Sequence, residues 1–144
     1  MVGGNTDFYL STIAPVSFQL EVHPTFGYFA IDNLIFGVQL DVGFMFQQHY
    51  NYSTIGLGPM ARYYIGNDKL SFFAHFSYLG RLSHGSYDDV ARFSNLYLPG
   101  IGMNYMITPS VGLESMLGLY LGEGDPTFSL SFGFQIFIPP RGSV

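Results

Sequence analysis

Leu34-Ile-Phe-Gly-Val-Gln-Leu-Asp-Val-Gly-Phe-Met-Phe46 is the stretch that decides the fold. Every even position in it is large and apolar: Leu34, Phe36, Val38, Leu40, Val42, Phe44 and Phe46. The odd positions are Ile35, Gly37, Gln39, Asp41, Gly43 and Met45. A repeat of two is the period of a β-strand, whose side chains point alternately to opposite faces. Length adds to the argument. Soluble strands commonly run to roughly 5–6 residues, whereas a tilted strand crossing a bilayer needs about 9–11. The second face carries glycine, Gln39 and a lone Asp41, not the Lys, Glu and Thr of a surface in water. One face therefore reads as lipid-facing and the other as a packed polar interior.

The same alternation runs outward in both directions. It predicts eight strands, near residues 7–13, 17–31, 34–47, 54–65, 69–82, 92–107, 111–121 and 127–138. Asp32-Asn33, Gly66-Asn67-Asp68 and Thr108-Pro109-Ser110 read as tight turns. Gln48–Ser53 and 83–91 read as longer polar loops at the opposite end. An even strand number with short turns at one end and longer loops at the other is the outer-membrane arrangement. The whole chain, 1–144, is read as one domain, with 1–6 and 139–144 as ends outside the sheet. Strands two, four and six each carry a mid-strand proline, Pro24, Pro59 and Pro99, followed by Tyr28, Tyr63 and Tyr105. A hairpin is thus a weak repeating unit, and each proline is expected at a bulge because it removes a ladder donor.

Composition narrows the class. Hydrophobic residues make up 48% of the chain and charged residues 10%, against about 25% charged in an ordinary soluble domain. Five basic residues and a net charge of −5 exclude the electrostatic footprint of a nucleic-acid binder. With no cysteine there is no disulfide framework and no thiolate metal site. No run of apolar residues is long enough for a transmembrane helix. The N-terminal Met-Val-Gly-Gly-Asn-Thr-Asp lacks the features of a signal peptide, so a bacterial outer-membrane location implies a signal already removed.

Alternation alone fits two opposite objects. A lipocalin-like soluble binder hides its apolar face around a small molecule; a membrane barrel turns it outward. The second face decides, since Gly, Ser, Thr, Gln and Met suit the narrow interior of an eight-stranded barrel better than they suit water. Tyr28, Tyr63, Phe72 and Tyr105 then form an interfacial girdle near the tight turns, with Phe18, Phe46, Tyr78 and Tyr97 as its counterpart. The fold expected is an all-β, eight-stranded, antiparallel up-and-down transmembrane β-barrel.

Pro24-Thr-Phe-Gly-Tyr-Phe-Ala-Ile-Asp-Asn-Leu34, Gly58-Pro-Met-Ala-Arg-Tyr-Tyr64, Leu70-Ser-Phe-Phe73 and Leu98-Pro-Gly-Ile-Gly102 resemble the small eight-stranded outer-membrane β-barrel proteins of the OmpA/OmpX-like group common in Bacteroidetes. The resemblance covers nearly the whole chain and implies a structural or surface-interaction role. It implies no cofactor and no metal. The expected partners are the lipid bilayer and lipopolysaccharide, with no nucleic acid and a monomeric chain.

Glu21, His23, Asp41, Arg62, His75 and Glu114 all fall on the inward face. Buried charges require partners. Arg62 and Glu114 lie at matching distances from their turns and are expected to pair; Asp41 and His75 stand at similar depth. A polar core filling the lumen is the preferred reading, ahead of a proton or ion path. His75-Phe-Ser77 with Asp89 supplies the ingredients of a hydrolytic Ser-His-acid set. It resembles the His-x-Ser of the outer-membrane lipid A deacylases, although Tyr78 stands where that family has Asn. A lipid A-modifying hydrolase is therefore the alternative function. His49, Tyr50 and Tyr52 in one loop, and Arg81, His84, Tyr87, Asp88, Asp89 and Arg92 around another, are expected outside the cell, where Arg81 and Arg92 suit lipopolysaccharide phosphates. The adjacent carboxylates Asp88 and Asp89 are too little to indicate a calcium site.

Overall fold

The computed structural model describes the backbone of residues 2–11, 17–47, 50–85 and 91–138, and the side chains of 20–44, 53–84 and 91–138. The described residues form β1 (Val2–Ser11), β2 (Ser17–Ile31), β3 (Leu34–Gln47), β4 (Tyr50–Gly66), β5 (Leu70–Gly85), β6 (Arg92–Thr108), β7 (Val111–Tyr120) and β8 (Thr127–Ile136). Each strand pairs antiparallel with the next, and Val2–Thr6 of β1 also pair with Phe132–Ile136 of β8, so the sheet returns on itself as a barrel. The all-β, antiparallel, up-and-down order is the one the alternation implies.

Local chemistry sets the turns. Asn33 adopts φ +67° in the two-residue β2–β3 hairpin, a conformation Asn tolerates better than most residues. Asn67 Oδ1 accepts from the backbone N–H of Lys69 and Leu70 at 3.1 and 2.9 Å. Thr108 Oγ1 does the same for Ser110 and Val111 at 3.3 and 3.0 Å. These side chains satisfy turn donors that no strand reaches.

Three boundaries differ from expectation. β1 begins at Val2, so residues 2–6, expected outside the sheet, are paired on both sides. Gly3-Gly4-Asn5 has no alternation to announce a strand; its backbone is held by the strands either side. β4 begins at Tyr50, and β5 continues to Gly85. The predicted loop residues Tyr50, Tyr52, Ser83 and His84 therefore belong to strands.

The prolines do not sit at bulges. Val22 pairs with Val42 and Thr25 with Gln39, leaving Pro24 unpaired toward β3 with the register unchanged. Leu57 pairs with Gly80 and Met60 with Ser77, leaving Pro59 unpaired toward β5 in the same way. Tyr97 bridges Leu121 and Gly100 pairs with Gly118, leaving Pro99 unpaired toward β7. Toward the preceding strand each proline is paired, with Gly4, Val38 and Phe76 respectively. The missing N–H opens the ladder locally on one side, and pairing on either side of the gap holds the register. The register shifts recorded lie instead near turns, at Phe29/Ile31 and Met106/Thr108.

The two faces are inverted relative to a protein folded in water. Tyr28 is 66% exposed and Phe128 71%, and Phe36, Phe76, Ile101, Leu117, Leu130 and Phe132 also face out. Asp41 is 0% exposed, Arg62 1% and Glu114 3%. Apolar residues are not excluded from the inside: Ile35, Met60, Tyr64, Phe73, Leu98 and Met116 pack there as one cluster, with Tyr120 and Phe137 against it. A soluble lipocalin-like binder would require the opposite arrangement, with the large side chains around a lumen.

Candidate functional site: two ionic clusters inside the barrel

Every residue expected in the interior is buried there: Glu21, His23, Asp41, Arg62, His75 and Glu114. They form two groups, and their partners differ in part from those expected.

The first group lies toward the tight turns. Arg62 on β4 reaches Glu114 on β7, Nη1 donating to Oε2 at 2.6 Å. The same carboxylate oxygen accepts from Gln135 Nε2 at 2.6 Å, and Gln135 Oε1 accepts from the Tyr64 hydroxyl at 3.1 Å. His75 pairs with Arg62, its cross-strand neighbour, and not with Asp41. Arg62 Nε donates to His75 Nδ1 at 2.9 Å, which requires a neutral ring with its proton on Nε2. The guanidinium carbon stands 4.8 Å from the centroid of the Phe73 ring, a cation–π contact in a dry setting.

The second group lies toward the loops. Asp41, Gly56 and Arg81 are consecutive partners across β3, β4 and β5. A Cβ on Gly56 would stand 3.0 Å from Arg81 Cγ and 3.2 Å from Asp41 Cβ. The bare backbone is what lets Arg81 Nε cross β4 to meet Asp41 Oδ2. Arg81 Nη2 donates to Glu21 Oε1 at 3.4 Å. His23 faces Asp41 Oδ1 through Nδ1 at 3.2 Å and Glu21 Oε2 through Nε2 at 3.7 Å. The Tyr120 hydroxyl lies 3.0 Å from His23 Nε2.

Arg81 is thus an interior residue and not an extracellular contact. Its odd position, two residues after Leu79 and six after His75, was the available signal. Its nearness to the predicted loop pointed the other way. Tyr64, Gln135 and Tyr120, also on inward positions, complete the groups. His84 and Arg92 are exposed at the loop end. His49 and Asp89 lie outside the described residues.

Glu21, His23 and Asp41 bring ligand-type atoms within 4.8 Å of one another. Arg81 touches both carboxylates, so the chain supplies its own cation there. Asp89, the acid expected in the hydrolytic set, lies outside the described residues, so only His75 and Ser77 of that set are placed. Ser77 is fully buried, and neither Ser77 Oγ nor His75 Nε2 has a hydrogen-bond partner among the described residues. A triad holds the base between the nucleophile and an acid; here a guanidinium stands where the acid belongs.

Of the girdle residues, Tyr28, Tyr63, Phe72, Tyr97 and Tyr105 are exposed on the outer face. Tyr78 is half-buried against Tyr97, with ring centroids 5.2 Å apart, and its hydroxyl donates to Asn95 Oδ1 at 2.7 Å. The side chains of Phe18 and Phe46 lie outside the described residues.

No family model and no curated protein matches this sequence. Solved structures do match in fold. Neisserial surface protein A aligns with TM-score 0.62 at 16% identity, over 94% of this chain and 92% of that one. The outer membrane enzyme PagL aligns with TM-score 0.55 at 11% identity, over 96% of this chain and 100% of that one. Ail, the attachment invasion locus protein of Yersinia pestis, aligns with TM-score 0.54 at 10% identity, over 94% and 93%. At these identities the likeness is one of backbone path: the chain has the fold of small outer-membrane β-barrel proteins.

Proposed function

We propose that this chain is an integral outer-membrane protein: a closed, eight-stranded transmembrane barrel of the OmpA/OmpX-like kind, with a structural or surface-interaction role. The observation that carries the reading is the inversion of faces. Large aromatic and aliphatic side chains stand on the outside while Asp41, Arg62 and Glu114 are buried inside. Apolar surface of that extent is stable against hydrocarbon and a liability in water. The pairing of Val2–Thr6 with Phe132–Ile136 supports a closed sheet, the condition for strands to cross a bilayer. Two ionic clusters and the apolar cluster occupy a lumen that is narrow at eight strands, so the barrel is plugged and is not an open pore. The Bacteroidetes-type grouping rests on the quoted sequence segments alone.

The role is carried at the loop end. His84 and Arg92 are exposed there and suit the phosphates of lipopolysaccharide. The protein works as a monomer, without cofactor, metal or catalysis. PagL shares its fold, but the His75–Ser77 geometry favours the non-catalytic reading.

The deciding experiment is gel mobility after refolding into detergent, boiled against unboiled. A faster unboiled band is the expected result. A single unshifted band, with full solubility in plain buffer, would sink the membrane reading. Lipid A profiles of cells expressing wild type, His75→Ala or Ser77→Ala are expected to be identical; a modification that disappears with either substitution would establish the hydrolase instead.

A further inference from the structure

The outer surface is unevenly filled. Ala74 on β5 and Ser115 on β7 are small outward residues flanking β6. Ile101 pairs with Ala74 on one side and Leu117 on the other; Met103 pairs with Phe72 and Ser115. The result is a furrow of about 530 Å³, floored by Ala74 and Ser115 and walled by Phe72, Ile101, Met103 and Leu117. That volume falls in the range of small-ligand sites, about 300–1,000 Å³. Ser115 supplies a hydroxyl in a lining that is otherwise apolar.

One step toward the tight turn, Leu70 pairs with Tyr105. There Lys69 Nζ stands 5.8 Å from the centroid of the Tyr105 ring. Lys69 is the only lysine in the chain, and Asp68 beside it is also exposed. Of the other basic side chains among the described residues, Arg62 and Arg81 are engaged inside the barrel, and Arg92 opens β6 at the far end. Beyond the furrow, on its turn side, Asp68 and Lys69 therefore place one anion and one cation on the same turn, at the depth where an aromatic girdle meets headgroups.

We infer that this furrow binds one phospholipid with a zwitterionic ammonium–phosphate headgroup. An acyl chain lies over Ala74 and Ser115. The phosphate pairs with Lys69 as a charge-assisted contact, and the primary ammonium pairs with Asp68. A purely anionic headgroup gains Lys69 but meets the charge of Asp68. The inference rests on the membrane reading above, because the furrow opens on the face assigned to lipid.

The test refolds wild type, Ala74→Phe and the double variant Asp68→Asn/Lys69→Gln in detergent with equal phosphatidylethanolamine and phosphatidylglycerol. Retained lipid is read by native mass spectrometry, and boiled against unboiled gel mobility is read alongside. Wild type is expected to retain one phosphatidylethanolamine in preference to phosphatidylglycerol. Ala74→Phe, which fills the furrow from the lipid side, lowers that retention roughly tenfold. The double variant still retains lipid but loses the headgroup preference. All three keep the gel shift. Equal retention of both lipids by wild type, or unchanged retention by Ala74→Phe, overturns the site while leaving the membrane reading intact. A dimer of wild type that Ala74→Phe abolishes assigns the furrow to a second copy and likewise overturns it. Loss of the gel shift in wild type overturns the membrane reading and the site together.

Discussion

The two interior clusters use the same chemistry under different conditions. Around Arg62 there is one cation, one carboxylate and neutral partners, and the exposures of Arg62 and Glu114 are 1% and 3%. Around Arg81 one cation faces two carboxylates, with His23 between them. The Arg81 side chain is 17% exposed, beside a vestibule of about 300 Å³ lined also by Ser83, Arg92, Asn95 and Tyr120. The first cluster is balanced and sealed. The second sets two carboxylates against one guanidinium and reaches water. The attraction within a pair and the cost of stripping it of water both grow as the surroundings become less polar. Breaking the sealed pair should therefore cost more than breaking the open one.

Glu114→Leu is the sharpest way to test that difference. It leaves Arg62 buried with no anion, a loss of about 3–5 kcal/mol for an uncompensated buried charge. Denaturant unfolding of the refolded barrel in detergent or bilayers measures it. The double replacement Arg62→Met/Glu114→Leu removes both charges and should recover most of the loss, because apolar residues of similar size commonly replace a buried pair at little cost. A double variant as unstable as the single one would mean that the pair holds the register of the strands as well as its own charges.

In the open cluster, Gly56→Val is expected to cost about 1–3 kcal/mol by forcing side chains out of a filled space. Its Cβ would crowd both Arg81 and Asp41, so the chain must give way on both sides of β4. Arg81→Gln should cost about 1–3 kcal/mol, less than Glu114→Leu. His23 remains beside Asp41, and water enters from the vestibule. If Arg81→Gln proved the more damaging of the two charge deletions, the ranking of sealed over open would be reversed.

Parity made most of this legible. Within each strand the positions alternating with the large apolar ones, odd in β2, β3 and β5 and even in β4 and β7, place Glu21, His23, Asp41, Arg62, His75 and Glu114 inside without any knowledge of pairing. The Arg62–Glu114 pair was legible too, because both residues stand a few positions from a tight turn. Asp41 was assigned the wrong neighbour. Strands in a barrel are staggered, so equal distance from different turns is not equal depth, and the register sets Asp41 opposite Gly56 and, beyond it, Arg81. Arg81 falls on the inward parity of the strand expected over 69–82, but one residue from its end and beside the expected loop; because β5 runs on to Gly85, it lies well inside the sheet. The prolines show the same limit. A sequence states that a donor is missing, but whether the ladder bulges or opens depends on the pairs flanking the gap.

The smallest expected effect separates the clusters without any substitution. Screening acts on charges that ions and water can approach, and the Debye length falls from about 10 Å at 0.1 M salt to about 3 Å at 1 M. Arg62 and Glu114 are out of reach of that change. Arg81 lines the vestibule, so its contact with Glu21 should weaken in high salt by an amount typical of accessible pairs, below about 1 kcal/mol. Raising the salt should therefore shrink the penalty of Arg81→Gln relative to wild type and leave the penalty of Glu114→Leu unchanged. Comparing differences between variants in the same salt cancels the general effect of salt on the detergent and on the unfolded chain. Equal shrinkage in both variants would mean that water reaches Arg62 as readily as Arg81, and that the apolar cluster of Tyr64, Phe73 and Met116 does not seal the turn end of the barrel.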